Sequence, residues 1–92
     1  MAAKKRERLQ VIHDILRVIR DNRNSVKPTH LLYKSNLSHQ MMKDYLDELQ
    51  GKGFIEEKAE GASKFYALTD KGFRYLDQYT VVTSFLESFG LE

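Results

Sequence analysis

The sequence contains no cysteine, no tryptophan and one proline, Pro28, and its longest uninterrupted apolar run is Phe65-Tyr66-Ala67-Leu68. Without cysteine there is no disulfide framework, zinc ribbon or thiol nucleophile. An apolar run that short excludes a membrane-spanning helix, and the basic start Lys4-Lys5-Arg6 leads into a segment interrupted by His13, Asp14 and Arg17, unlike a secretory leader. A cytoplasmic location is therefore the expectation. Glycine is also sparse, and Gly51-Lys52-Gly53 lacks the flanking residues of a phosphate-binding loop. The three histidines, His13, His30 and His39, never stand at His-x-x-x-His spacing, so no metal site is expected. Asp44, Asp47 and Glu48 sit together on a helical stretch, where solvation explains them more simply than acid-base catalysis. Neither an enzyme nor a cofactor is expected.

What remains is a chain of 92 residues, 41% hydrophobic and 30% charged, enough for one small domain with a thin core. Pairing with a second copy is a natural way to bury more apolar surface. The net charge of +2 conceals an asymmetry: residues 1–43 carry 10 basic and 3 acidic side chains, residues 44–92 carry 5 and 10. A basic half of net +7 beside an acidic half of net −5 suits a protein that turns one end to a polyanion.

No internal repeat or low-complexity tract interrupts the chain. Leu9, Ile12, Ile15, Leu16 and Ile19 recur at helical spacing and predict an amphipathic helix from Arg6 to about Arg20. Asp21-Asn22-Arg23-Asn24-Ser25 ends it, and Val26 has room for a very short strand before Pro28 opens a second helix that reaches about Ser35. The apolar side of that helix is Leu31, Leu32 and Tyr33, and Asn36 offers a left-handed stop. Ser38 is a natural N-cap for a third helix, with Leu37 and Met42 spaced as a hydrophobic staple. This helix is expected to bury Met41, Met42, Tyr45, Leu46 and Leu49 and to end at Gly53. Two strands follow, Phe54 to Lys58 and Lys64 to Leu68, joined by a turn through Ala59–Ser63. Thr69 then caps a last helix from Asp70, which carries Tyr75, Tyr79, Val82, Leu86 and Phe89 in a heptad-like stripe.

This order is that of an α+β, mainly α, winged helix-turn-helix: a three-helix core, a β-hairpin wing and an additional C-terminal helix. The residues strengthen the reading. Thr29-His30-Leu31-Leu32-Tyr33-Lys34-Ser35-Asn36-Leu37-Ser38, then Tyr45-Leu46-Asp47-Glu48-Leu49, Lys52-Gly53-Phe54-Ile55 and Tyr66-Ala67-Leu68-Thr69-Asp70-Lys71-Gly72, resemble the small archaeal winged-helix DNA-binding proteins. That group includes predicted transcriptional regulators and dimeric chromatin-associated proteins. The resemblance spans roughly residues 24–79 and implies DNA binding through the third helix and the wing, with dimerisation through the closing helix. Here the closing helix spans only about 30 Å at 1.5 Å per residue, short for the extended coiled coil of the chromatin type.

Residues 1–8 are accordingly expected to form a basic N-terminal arm, 9–76 the winged-helix domain and 77–92 the dimerising continuation of the last helix. Ser38, His39, Gln40 and Lys43 occupy the start of the third helix and are the expected base-facing residues, with Gln40 suited to adenine and Lys43 to guanine or phosphate. Asp44 and Asp47 farther along would repel phosphate, so readout should be narrow. Lys4, Lys5, Arg6, Thr29, Lys34, Lys58 and Lys64 are the expected phosphate contacts. Phe73 and Leu76 are expected to pack on the first helix, while Tyr75, Tyr79, Val82, Phe85, Leu86 and Phe89 form the expected dimer interface. The partners expected are double-stranded DNA and a second copy, with no membrane. A competing class of function is a winged-helix module that binds another protein through the acidic half or the apolar last helix.

Overall fold

Helix α1 runs from Ala2 to Asp21 in the computed structural model, which describes residues 2–90, with side chains from Arg8 onward. Its start lies four residues ahead of the position that apolar spacing marks, because the alanine, lysine, arginine and glutamate of residues 2–8 are all strong helix formers. The backbone of the expected basic arm thus continues α1 rather than forming a separate segment. The side chains of Lys4, Lys5 and Arg6 lie outside the described residues. Ile12, Ile15, Leu16 and Ile19 are buried, and Leu9, one turn nearer the helix start, is exposed.

Beyond Asp21 the chain turns through Arg23 and Asn24, both at positive φ (61° and 55°). Asn24 is suited to this conformation, and its side-chain carbonyl accepts the Leu68 N–H at 2.7 Å, tying the end of α1 to the hairpin. Val26 then pairs with Tyr66 through two backbone hydrogen bonds of 3.0 and 2.8 Å, the very short strand the sequence allows. Helix α2 spans Pro28–Lys34 and buries Leu31. Tyr33, expected on its apolar side, instead points into solvent, because the buried face of so short a helix is used up by Leu31 and the half-buried Leu32. The helix also stops differently: Ser35 is extended, and its hydroxyl donates to the Leu32 carbonyl at 3.3 Å, so no left-handed Asn36 is required.

Helix α3, His39–Gly51, opens as expected, with the Ser38 hydroxyl accepting the Met41 N–H at 3.2 Å. Met42, Leu46 and Leu49 are buried and Tyr45 is half-buried, but Met41 is exposed because one residue of helical rotation turns it about 100° from Met42. The helix ends in a Schellman arrangement. Gly53 lies at φ 81°, its N–H bonds the Gln50 carbonyl at 3.1 Å, and the Phe54 N–H bonds the Leu49 carbonyl at 2.9 Å.

Strands β1 (Ile55–Glu60) and β2 (Ser63–Leu68) pair antiparallel, with Ile55 opposite Leu68 and Glu60 opposite Ser63. The turn is tighter than expected, only Gly61-Ala62, with Gly61 at φ 59° supplying the conformation that two-residue hairpins favour. Pleating puts Lys64, Tyr66, Leu68 and Ile55 on one face and Phe65 and Lys58 on the other.

Helix α4, Asp70–Ser88, is capped by Thr69, whose hydroxyl accepts the Gly72 N–H at 3.2 Å. Leu76 is buried in the core with Leu16, Ile19, Val26, Leu31 and Ile55, whereas Phe73, expected beside it, lies at the exposed edge. Among the described residues every buried side-chain nitrogen or oxygen has a hydrogen-bond partner. None of the described helices is long and apolar enough to cross a membrane.

Candidate nucleic-acid interface

An open groove of about 400 Å³ runs between α2, α3 and the inner face of β2. Leu32, Met42, Leu46 and Tyr66 contribute its apolar wall, and Thr29, His39, Gln40, Lys43 and Lys64 converge around it. The cap at Ser38 fixes where α3 begins, and helical rotation from the buried Met42 and Leu46 turns His39, Gln40 and Lys43 outward. Three of the four expected base-facing residues thus line the groove. Ser38 stands beside it with its oxygen engaged as the helix cap.

The electrostatics are more constrained than the sequence suggests. Gln40 Nε2 donates to Asp44 Oδ1 at 2.8 Å, and Lys43 Nζ donates to Asp47 Oδ2 at 3.0 Å. Hydrogen bonding to the Asp47 carboxylate, with its charge attraction, raises the Lys43 pKa above its usual value. Both outward polar side chains are therefore held along the helix by carboxylates one turn on, in exposed pairs weak enough to exchange for another partner. Lys64 lies 3.6 Å from Glu57 on the groove side of the wing, while Lys58 lies 3.5 Å from Glu56 on the opposite face.

The structure gathers Thr29 and Lys64 from the expected phosphate contacts into the groove and separates two others from it. Lys34 lines a different groove, between α1 and the end of α2, near Arg17, because residues 31, 34 and 35 share the side of α2 turned away from Thr29 and Leu32. Lys58 is turned away by the pleat.

The stripe on α4 divides in two. The Tyr75 hydroxyl donates to the Leu9 carbonyl at 3.1 Å, Tyr79 donates to Gln10 Oε1 at 2.8 Å, and the Tyr79 ring stacks on His13 at 4.1 Å. Burial pushes the Tyr75 phenol above its ordinary pKa. These two tyrosines of the expected dimer interface are occupied by α1 of their own chain. Farther on, Val81, Val82, Phe85 and Phe89 are between 53% and 64% exposed, Leu86 is half-buried among them, and the Phe85 and Phe89 rings meet at 4.9 Å.

One constellation follows from no local pattern in the sequence. Arg8 of α1 and Lys52 beyond α3 both donate to the Glu48 carboxylate, and Arg8 also stands 5.7 Å from the centre of the Tyr45 ring. The hydrogen bonds from Arg8 and Lys52 hold the Glu48 pKa down to about 2. The i, i+4 spacing of Glu48 and Lys52 is visible in the sequence; the arrival of Arg8 depends on tertiary packing. Among the described residues no cluster of three or more His, Asp or Glu side chains is placed to hold a metal ion.

Comparison with solved structures returns the same architecture. The DNA-binding protein Sso10a-2 from Sulfolobus solfataricus superposes with a TM-score of 0.71 at 23% identity, over 88% of this chain and 82% of that one. F93 from STIV, a winged-helix DNA-binding protein, gives 0.70 at 18% identity over 77% and 84%. MarR from E. coli, in its oxidised form, gives 0.67 at 24% identity over 73% of this chain, which spans about half of MarR (48%). At these identities the likeness is one of fold. Comparison with curated proteins gave no match. The family model described as winged helix-turn-helix matches residues 5–87, so that most of α1, all of α2, α3 and the hairpin and most of α4 fall within it, and the chain belongs to the winged helix-turn-helix family.

Proposed function

We propose that this protein binds double-stranded DNA as a non-enzymatic transcription regulator or chromatin-associated protein, with α3 entering the major groove. The observation that carries the reading is the convergence of Thr29, His39, Gln40, Lys43 and Lys64 on one open groove beside the N-terminal half of α3. In this geometry Gln40 and Lys43 reach base edges, while Thr29 and Lys64 hold the flanking backbone. Asp44 and Asp47 confine contact to the first turn and a half of the helix and favour weak or tolerant sequence readout.

The protein acts as a homodimer. Val82, Phe85, Leu86 and Phe89 extend beyond the part of α4 that α1 covers and present a contiguous apolar strip of the kind that marks an interface. A two-fold pair of α3 helices then meets two half-sites.

Fluorescence anisotropy of a mixed-sequence duplex at low and near-physiological salt, with sedimentation in parallel, tests both parts. A dimer whose affinity falls steeply with salt supports the reading. Absence of binding at low salt, or binding indifferent to salt and to replacement of Gln40 and Lys43 by alanine, overturns it in favour of a protein-binding module.

A further inference from the structure

Tyr33 is 90% exposed, an unusual position for a large aromatic side chain, on a helix that contributes Leu31 to the core. It lines an open cleft with Lys27, His30 and Phe65. Helical spacing accounts for Tyr33, which follows Thr29 by four residues and His30 by three and so shares their side of α2. The sheet accounts for the rest. Phe65 leaves β2 on the face opposite Tyr66, and Lys27, adjacent to the Val26 bridge, brings its ammonium to 5.8 Å from the Phe65 ring centre.

Two observations say what this cleft suits. Thr29 lines both it and the α3 groove, so the two surfaces are continuous over α2. Among the described residues, none that lines the cleft is acidic, whereas the α3 groove includes Asp47. An ammonium, an imidazole, a phenol and an apolar ring without a carboxylate match a chain of phosphates and sugars better than they match a neutral or basic surface.

We propose, building on the DNA-binding function above, that the cleft of Lys27, His30, Tyr33 and Phe65 seats the sugar-phosphate backbone of the same duplex where it leaves the α3 groove. Lys27 and His30 face phosphates, the Tyr33 hydroxyl donates to a phosphate oxygen, and Phe65 supports a deoxyribose. The footprint is then longer than the segment α3 reads, and the added affinity is independent of sequence.

The test compares wild type, Tyr33→Ala, Tyr33→Phe and Lys27→Ala on two duplexes, one of about one helical turn and one of about two and a half. Both positions are exposed, so the fold is expected to survive these changes, and circular dichroism checks it. On the long duplex Tyr33→Ala is expected to weaken binding by about threefold to tenfold, as loss of one hydrogen-bonding contact does. Tyr33→Phe should reproduce part of that loss, and Lys27→Ala should lower the slope of log affinity against log salt by about one. On the short duplex all three should bind like wild type. Wild-type affinity and slope for the variants on the long duplex would overturn the proposal and leave the cleft to a protein partner. Equal losses on both duplexes would overturn it too, placing these residues inside the α3 footprint. Failure of wild type to bind the long duplex at low salt is a separate result, which removes the DNA-binding function itself.

Discussion

Gly72 shows how a single residue sets the docking of a whole helix. The first turn of α4 approaches the end of α3 so closely that a Cβ at Gly72 would collide with the Phe54 backbone carbonyl, and that oxygen cannot retreat because it already accepts the Thr69 N–H at 3.1 Å. Gly72→Ala, although helix-favouring by propensity, is therefore expected to destabilise the fold by about 1–3 kcal/mol, the usual cost of overpacking, read as a lowered urea midpoint. Glu48 makes a second prediction at this scale. Its pKa is depressed from 4.5 to about 2 by Arg8 and Lys52, so the folded state gains stability that is fully present above 4.5 and is lost as pH falls towards 2. Glu48→Gln should lower stability at neutral pH and flatten the part of the urea-midpoint profile between those values; a profile identical to that of wild type would contradict the assignment. Neither residue's role was legible in the sequence. Gly72 belongs to the Tyr66–Gly72 stretch, whose resemblance does not show why a glycine is needed, and Arg8 meets Glu48 across a separation of 40 residues that no local pattern encodes.

At the scale of elements, local chemistry was a good guide wherever one side chain decides a boundary. Ser38 and Thr69 cap the helices they precede, Gly53 closes α3, and Pro28 opens α2. The misreadings fall where tertiary packing selects among equivalent apolar residues: Met41, Tyr33 and Phe73 have the right character for a core but the wrong rotation for this one. Lys34 fails as a groove residue for the same reason. The α3 surface carries a consequence of its own. Because Lys43 is tied to Asp47 at 3.0 Å, DNA bound as proposed above competes with that carboxylate and is repelled by it. Asp47→Asn is expected to raise duplex affinity about fivefold at low salt, the equivalent of about 1 kcal/mol between unit charges in water, and the gain should shrink as salt rises. Anisotropy titrations of the two proteins at matched salt measure it, and unchanged affinity would place Lys43 and Asp47 away from the DNA.

For the whole molecule, the decisive asymmetry is between the two halves of α4. Tyr75, Leu76 and Tyr79 anchor its first half to the core and to α1, which accounts for why a stripe that looks continuous in sequence does not all serve one purpose. Among the described residues the second half has no such cover, and its exposed Val81, Val82, Phe85 and Phe89 contribute little to the folding of their own chain. Charged replacements there should therefore separate assembly from folding. Phe85→Glu combined with Phe89→Glu is expected to leave the thermal transition of the protomer nearly intact while converting the proposed dimer to a monomer in sedimentation. Since each protomer supplies one α3, the monomer should bind a two-site duplex much more weakly than the dimer and a single-site duplex about equally, because only the linkage of two binding events is lost. If the variant remains dimeric, the interface lies elsewhere, and if it becomes monomeric yet binds the two-site duplex undiminished, the two recognition helices do not act together.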